Sequence, residues 1–174
     1  MTHPGERYTV GVKRHVSLQP LSRDHHHGLV EARAVRWALS GRAGTPRAAR
    51  VSMLAAWTRL LAAHFDDEER WLVALVPDPS DARRLRADHD EIRRLIGELA
   101  RADADTEPDH ELLDALATRL HDHIRWEEEH LFPSIEASAS PDALRTLGRQ
   151  LAERASDRAR GPTITYKEET RDPT

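Results

Sequence analysis

The sequence of 174 residues contains no cysteine. This absence excludes disulfide bonds, thiolate nucleophiles, iron–sulfur ligation and cysteine-based zinc sites together. Any metal site in the chain must therefore use histidine and carboxylate ligands, which suit iron, manganese or zinc.

Lysine and long apolar runs are also scarce. Lys13 and Lys167 are the two lysines, so nearly all the positive charge is arginine, and acidic residues are interspersed with it. With a net charge of -4 and no basic patch, the sequence predicts no nucleic-acid partner. No run approaches the ~18 apolar residues of a membrane span, and no apolar stretch follows Lys13 and Arg14 as in a signal peptide. We therefore expect a soluble, cytoplasmic protein.

Hydrophobic periodicity and helix-cap residues predict five helices and no strands. The expected helices cover residues 22–40, 46–76, 79–102, 109–135 and 141–155. Four long helices with short connections favour an all-α fold, an up-down-up-down antiparallel four-helix bundle with a short C-terminal fifth helix. We expect residues 1–17 to form a flexible N-terminal arm, 18–156 the bundle domain and 157–174 a flexible C-terminal tail.

One pattern of apolar and polar residues occurs twice, 59 residues apart. Each copy steps by 4, 3, 4 and 4 residues, which keeps its members on one helix face. The copies are Trp57, Leu61, His64, Glu68 and Leu72, then Leu116, Leu120, His123, Glu127 and Leu131. A histidine and a glutamate on an apolar face are costly to bury without partners. A bound metal is the simplest partner for them.

A second pattern relates the first and third helices. Its copies are Leu21, His25, Gly28, Ala32 and Val35, then, 64 residues later, Leu85, His89, Ile92, Ile96 and Leu99. This register favours His25 among the three consecutive histidines, because placing His26 inward would carry Arg33 with it. His26 remains the alternative, since other apolar residues lie near its side.

Distances from the connecting loops bring six polar side chains to one layer. In an antiparallel bundle, residues equally far from a loop lie side by side, and these six agree to within a helical turn, about 5.4 Å. The predicted layer contains His25, His64, Glu68, His89, His123 and Glu127. Six such groups exceed what one tetrahedral zinc needs and suit two metal ions bridged by carboxylates.

Four motifs that follow one another along the chain carry a resemblance to a known family. The segment HIRWEEEHLFP (residues 123–133) resembles the fourth-helix signature of hemerythrin-like, or HHE cation-binding, domains, and HFDDEE (64–69) resembles their second-helix motif. SRDHH (22–26) and DHDEI (88–92) are similar to the histidine motifs of the first and third helices. The resemblance covers residues 18–135. It implies a non-heme centre of two iron ions with an oxo or hydroxo bridge, held by the six residues of the predicted layer.

Two positions and one absence depart from parts of that family. Arg93 stands where the oxygen carriers have a second histidine in the third helix, which disfavours reversible oxygen carriage. Glu128 is an alternative ligand to Glu127, because the carboxylate follows the histidine by four or five residues in this family. The lack of cysteine disfavours a role in iron–sulfur repair.

Other polar residues lie next to the predicted ligands. We expect a solvated face to contain Glu69, Glu128 and Glu129. Four histidines are expected at the surface or around the ligands, namely His26, His27, His121 and His130. Of these, His26 or His121 could supply a fifth histidine ligand. Asp24 and Asp88 could orient ligand rings.

The expected function is binding or sensing of O2, NO or peroxide at an open iron position, in preference to catalysis. A di-iron enzyme that turns over peroxide or nitric oxide is one alternative, and an iron-responsive regulatory or interaction module is another. A bundle with zinc or no metal is a third. Tyr8 and Tyr166 are the two tyrosines, and both lie in the predicted flexible ends, which disfavours tyrosine-based redox chemistry.

Overall fold

The computed structural model describes residues 14–103 and 106–160, with side chains up to residue 156. Most of the predicted arm (1–13) and of the predicted tail (161–174) lies outside the described residues, as do both tyrosines. The first described residues contact the bundle. Ser17 and Leu18 are buried, and the side chain of Arg14 is 9% exposed.

The described residues are almost entirely helical and contain no strand, which confirms the predicted all-α class. Five helices follow one another within residues 14–103 and 106–160. They are α1 (Gln19–Leu39), α2 (residues 46–75), α3 (Pro79–Arg101), α4 (residues 110–138) and α5 (Pro141–Arg160). None of these helices is long and apolar enough to cross a lipid bilayer.

Three helices begin with a side chain that caps the first turn. Thr45 accepts a hydrogen bond from the amide of Ala48 at 3.2 Å, Asp78 caps α3 and Asp109 caps α4. Such caps satisfy amides that have no partner within the helix. The first helix begins three residues before the predicted cap Ser22, and α5 continues five residues past its predicted end.

Helices α2 and α4 contain π-helical turns that the sequence analysis did not predict. These turns are Trp57–Leu61 and Glu68–Leu72 in α2 and Glu127–Leu131 in α4. The repeated stripe advances slightly more than 3.6 residues per turn, and a π turn holds the extra residue that keeps such a stripe on one face. One π turn starts at the glutamate of each copy, so both glutamates keep facing inward.

The helices pack so that a polar layer divides two apolar clusters. Helix α1 lies against α2 and α4, and α3 lies against α4. One cluster includes Leu61, Ile92 and Leu120, on the side of the layer where α1 joins α2. The other includes Leu72 and Leu131, and residues of α5 cover it. The six predicted ligands lie between the two clusters, so each side of the site is sealed by apolar packing.

Arg50 connects the start of α2 to the end of α3. Its side chain is buried and donates hydrogen bonds to the carbonyl oxygens of Ala102 and, at 2.7 Å, Asp103. Hydrogen bonds from a charged donor contribute about 1.5–3 kcal/mol, so we expect Arg50→Ala to lower the free energy of unfolding by about that amount. Urea unfolding followed by circular dichroism measures this change. The exposed Arg86→Ala is the control, expected to stay within about 0.5 kcal/mol, and an equal loss in both variants would contradict the prediction.

Candidate metal centre

Six side chains from four helices meet at the polar layer, and each is at most 2% exposed. Helix α1 contributes one, α2 two, α3 one and α4 two. They are the six residues predicted from the sequence: His25, His64, Glu68, His89, His123 and Glu127. Helix packing therefore brings together the groups that the two repeated stripes placed on inward faces.

The six side chains form two overlapping groups that could each hold a metal ion. His25 and His64 belong to one group and His89 and His123 to the other, while Glu68 and Glu127 belong to both. Within each group, the candidate ligand atoms all lie within 4.8 Å of one another. Shared carboxylates between two pairs of histidines form an arrangement that suits two bridged ions.

Glu68 lies at the middle of the layer. Its oxygens are 3.2 Å from Nε2 of His64, 3.2 Å from Nε2 of His89 and 3.6 Å from Nε2 of His25. On the opposite helix, an oxygen of Glu127 lies 3.0 Å from Nε2 of His25 and 3.3 Å from Nε2 of His123. Each glutamate thus faces histidines of both groups.

Several buried atoms of this layer are left without hydrogen bonds. Within the described part of the chain, neither carboxylate oxygen of Glu68 or Glu127 has a hydrogen-bond partner, and the same holds for Nε2 of His25 and His64. Buried polar atoms are ordinarily satisfied, and a cluster of exceptions calls for an explanation. Nitrogen and carboxylate lone pairs that converge in a closed space fit a pair of cations.

The outer ring nitrogens of the four histidines each lie near a carboxylate. Nδ1 of His25 is 2.7 Å from Glu128, and Nδ1 of His89 is 2.7 Å from Glu69. The corresponding distances are 3.5 Å from His64 to Asp24 and 3.5 Å from His123 to Asp88. Such carboxylates fix the tautomer and orientation of a ligand ring and raise its basicity.

The role predicted for Glu69 and Glu128 was wrong. Both were expected on a solvated face, yet their side chains are only 30% and 24% exposed and contact histidines of the layer. Each also pairs with an arginine, Arg93 for Glu69 and Arg14 for Glu128, which draws the carboxylate toward the bundle. Glu129 is exposed, as expected.

Two phenylalanines that sequence reasoning missed stack on ligand rings. Phe65 lies parallel to the ring of His89 with centroids 3.8 Å apart, and Phe132 lies nearly parallel to His25 at 5.2 Å. The motif HFDDEE contains Phe65 directly after a predicted ligand, and this adjacency was the only available signal. Stacking confines each imidazole between an aromatic face and its carboxylate.

Electrostatic shifts follow from this burial. Burial alone would lower the pKa of His64, but the charge of Glu68 outweighs it and raises that pKa to about 9. Burial likewise opposes the charged form of His25, yet nearby Glu127 raises the pKa of His25 well above its usual value. The reverse holds for the carboxylates. Burial would raise the pKa of Glu128, but His25 lowers it to about 2. These shifts favour the charged forms of His25, His64 and Glu128.

The remaining histidines named from the sequence lie away from the two groups. His26, His27 and His130 are exposed, and His121 is half-buried. Within the described residues, none of these four belongs to either candidate metal group. His130 instead lies 2.8 Å from Asp81 on α3.

Comparison with known proteins identifies one family. The model of the hemerythrin HHE cation-binding domain matches residues 17–135 and, in a second alignment, residues 80–159. The second range begins near the start of α3, where the sequence repeat places the counterpart of α1. Comparison with curated proteins and with solved structures gives no significant match. The extent of the first match, over more than half of the chain and all four helices of the layer, shows that the chain belongs to the hemerythrin HHE cation-binding domain family.

Proposed function

We propose that this chain is a di-iron protein that binds or senses O2, NO or peroxide, on an up-down-up-down four-helix bundle. The observation that carries the proposal is the pair of overlapping groups that share Glu68 and Glu127. The four side chains of one candidate group would fill the tetrahedral coordination of a zinc ion. An iron ion with the same four donors keeps coordination positions open for a small ligand. We therefore assign His25 and His64 to one ion, His89 and His123 to the other, and the two glutamates to both.

The surrounding side chains support small-ligand binding over broader chemistry. Leu61, Ile92 and Leu120 are at most 2% exposed and close one side of the layer. Trp57 packs its ring edge-on against Phe65 at 5.4 Å. Such apolar walls limit the entry of water and of large substrates and influence the redox potential of a metal site.

The residues around the layer hold the donors ready for the ions. Glu69, Glu128, Asp24 and Asp88 lie beside the outer nitrogens of the histidines and direct each Nε2 inward. Because metal binding needs neutral imidazole, protons on the raised-pKa histidines must leave when ions enter. The carboxylates of Glu128 and Glu69 lie 2.7 Å from Nδ1 of His25 and of His89, close enough to accept the hydrogen bond that keeps Nδ1 protonated and leaves Nε2 for a metal ion.

Metal content of the full chain, purified without chelator, tests the proposal. Elemental analysis is expected to give two irons per chain, with a near-ultraviolet absorption band that changes when oxygen-free protein meets air. Titration with NO and peroxide then identifies the small ligand. A single zinc ion, or no metal in fully helical protein, would overturn the proposal, and rapid turnover of peroxide or NO would favour the enzymatic alternative.

A further inference from the structure

Each group of ligands has an arginine behind it. Arg14 contacts Glu128 through its side-chain oxygen and its carbonyl oxygen, both at 2.7 Å, and Glu128 contacts His25. On the other side of the layer, Arg93 lies 2.6 Å from Glu69, which contacts His89. The side chains therefore form two arginine–glutamate–histidine series, and each series ends at the histidine of one candidate metal position.

The two arginine–glutamate–histidine series also resemble each other in their stacked aromatic rings. The guanidinium of Arg14 lies over Phe132, the ring that stacks on His25, at 5.2 Å. The guanidinium of Arg93 lies over Phe65, the ring that stacks on His89, at 5.7 Å. Each arginine therefore holds both the carboxylate and the aromatic ring that fix one imidazole.

The two arginines differ in where the chain anchors them. Arg93 belongs to helix α3, whereas Arg14 belongs to the segment of residues 14–18 that precedes α1. We call this segment the N-terminal clamp. It is docked by a hydrogen bond from the amide of His15 to Glu136 at 2.8 Å and by the close approach of Ser17 to Gly148 on α5. The docking contacts of the clamp involve none of the six ligands.

We propose that the N-terminal clamp regulates one metal position through Arg14, so that docking of residues 14–18 and metal binding at His25 and His64 stabilise each other. This inference rests on the proposed di-metal site. Arg14 is a positioning residue, because it touches Glu128 and Phe132 but no ligand atom. By thermodynamic linkage, release of the clamp lowers the affinity for the ion at His25 and His64. Removal of that ion shifts the docking equilibrium of the clamp by the same factor. Arg93 performs the corresponding positioning for the other ion without this freedom.

Anaerobic Fe(II) titration of the full, chelator-treated chain tests the clamp. Carboxylates that contact a metal ligand typically contribute about 10–100-fold to metal affinity. Arg14→Gln is therefore expected to lower the affinity for one of the two Fe(II) ions about tenfold and to leave the affinity for the other unchanged. Combined with Glu128→Gln, it should add nothing further, because both changes break the same contact. Combined with Glu69→Gln, its effect should add, since that residue acts on the other ion. The exposed Arg94→Gln on α3 is the matched control and should bind Fe(II) as the wild type does.

A second variant releases the clamp without altering Arg14. A β-carbon at Gly148 would lie 2.8 Å from Oγ and 3.3 Å from Cα of Ser17, so Gly148→Ala requires Ser17 to shift away from α5, which is expected to loosen the clamp. The variant should reproduce the affinity loss of Arg14→Gln at one ion. Hydrogen exchange of amides 15–18 in the wild type should also quicken when Fe(II) is removed.

The outcomes separate the clamp from the proposed function. Wild-type protein that binds two Fe(II) ions, with Arg14→Gln unchanged or weakened equally at both ions, would overturn the clamp alone. The clamp would also be overturned if the hydrogen-exchange rates of amides 15–18 were the same with and without Fe(II). Wild-type protein that takes up no Fe(II) would overturn the di-iron function and the clamp together.

Discussion

Replacing Glu68 with alanine is expected to abolish binding of the two proposed metal ions and to destabilise the metal-free protein. Glu68 is fully buried and belongs to both candidate groups, so its loss removes a donor from each ion. Its oxygens also lie within 3.6 Å of Nε2 of His25 and of His64, whose pKa values are raised despite burial, so these two imidazolium ions lose a counter-charge. Removing one partner of a buried ion pair costs about 3–5 kcal/mol.

Metal content and urea unfolding of chelated protein measure the two effects separately. Glu68→Gln keeps the size of the side chain but not its charge, so it should lose metal with a smaller packing defect. Glu129→Ala changes an exposed glutamate of α4 and should affect neither quantity. Two tightly bound ions in Glu68→Ala protein would contradict the assignment of this residue as a shared ligand.

Chelation of the metal ions is expected to lower the melting temperature while the helices stay folded. At a free metal concentration of 100 times its dissociation constant, one site stabilises the folded state by about 2.7 kcal/mol. For a chain of this size that corresponds to about 5–10 °C. We expect the metal-free protein to stay folded, because Glu127 and Glu68, which raise the pKa of His25 and His64 against the effect of burial, remain as their charge partners.

Thermal unfolding with and without chelator, followed by circular dichroism, measures this shift. The Glu68→Ala protein is the control, since it should melt at the same temperature in both conditions. Complete unfolding on chelation would show instead that the fold depends on metal, as an iron-responsive module requires. An unchanged melting temperature would contradict metal binding at the layer.

The sequence was sufficient to predict the residues of the polar layer, because helical periodicity acts on every turn. His25 and His26 illustrate its discriminating power: the register of one apolar stripe favoured His25, which is 2% exposed, while His26 is exposed. The helix starts at Pro46 and Pro79 followed equally from local cap chemistry. Where a feature depends on neighbours in the same helix, sequence reasoning reached it.

Features that depend on distant partners were not predictable in the same way. Glu128 was expected on a solvated face with the adjacent Glu129, because its partner Arg14 is 114 residues away in a segment without periodicity. Glu69 was misjudged for the same reason, since Arg93 reaches it from another helix. The π turns were missed for a different reason, since the advance of the repeated stripe by slightly more than 3.6 residues per turn was a signal that was not used.

The division of ligands between the two halves of the chain has a mechanical consequence. Residues 19–75 and 79–138 form two helical hairpins, and each candidate metal group takes ligands from both of them. In the proposed metal-bound state, the ions therefore act as cross-links between hairpins that share no disulfide. In a chain without cysteine, the metal ions would thus serve as reversible cross-links, which form when metal is supplied and are lost when metal is removed.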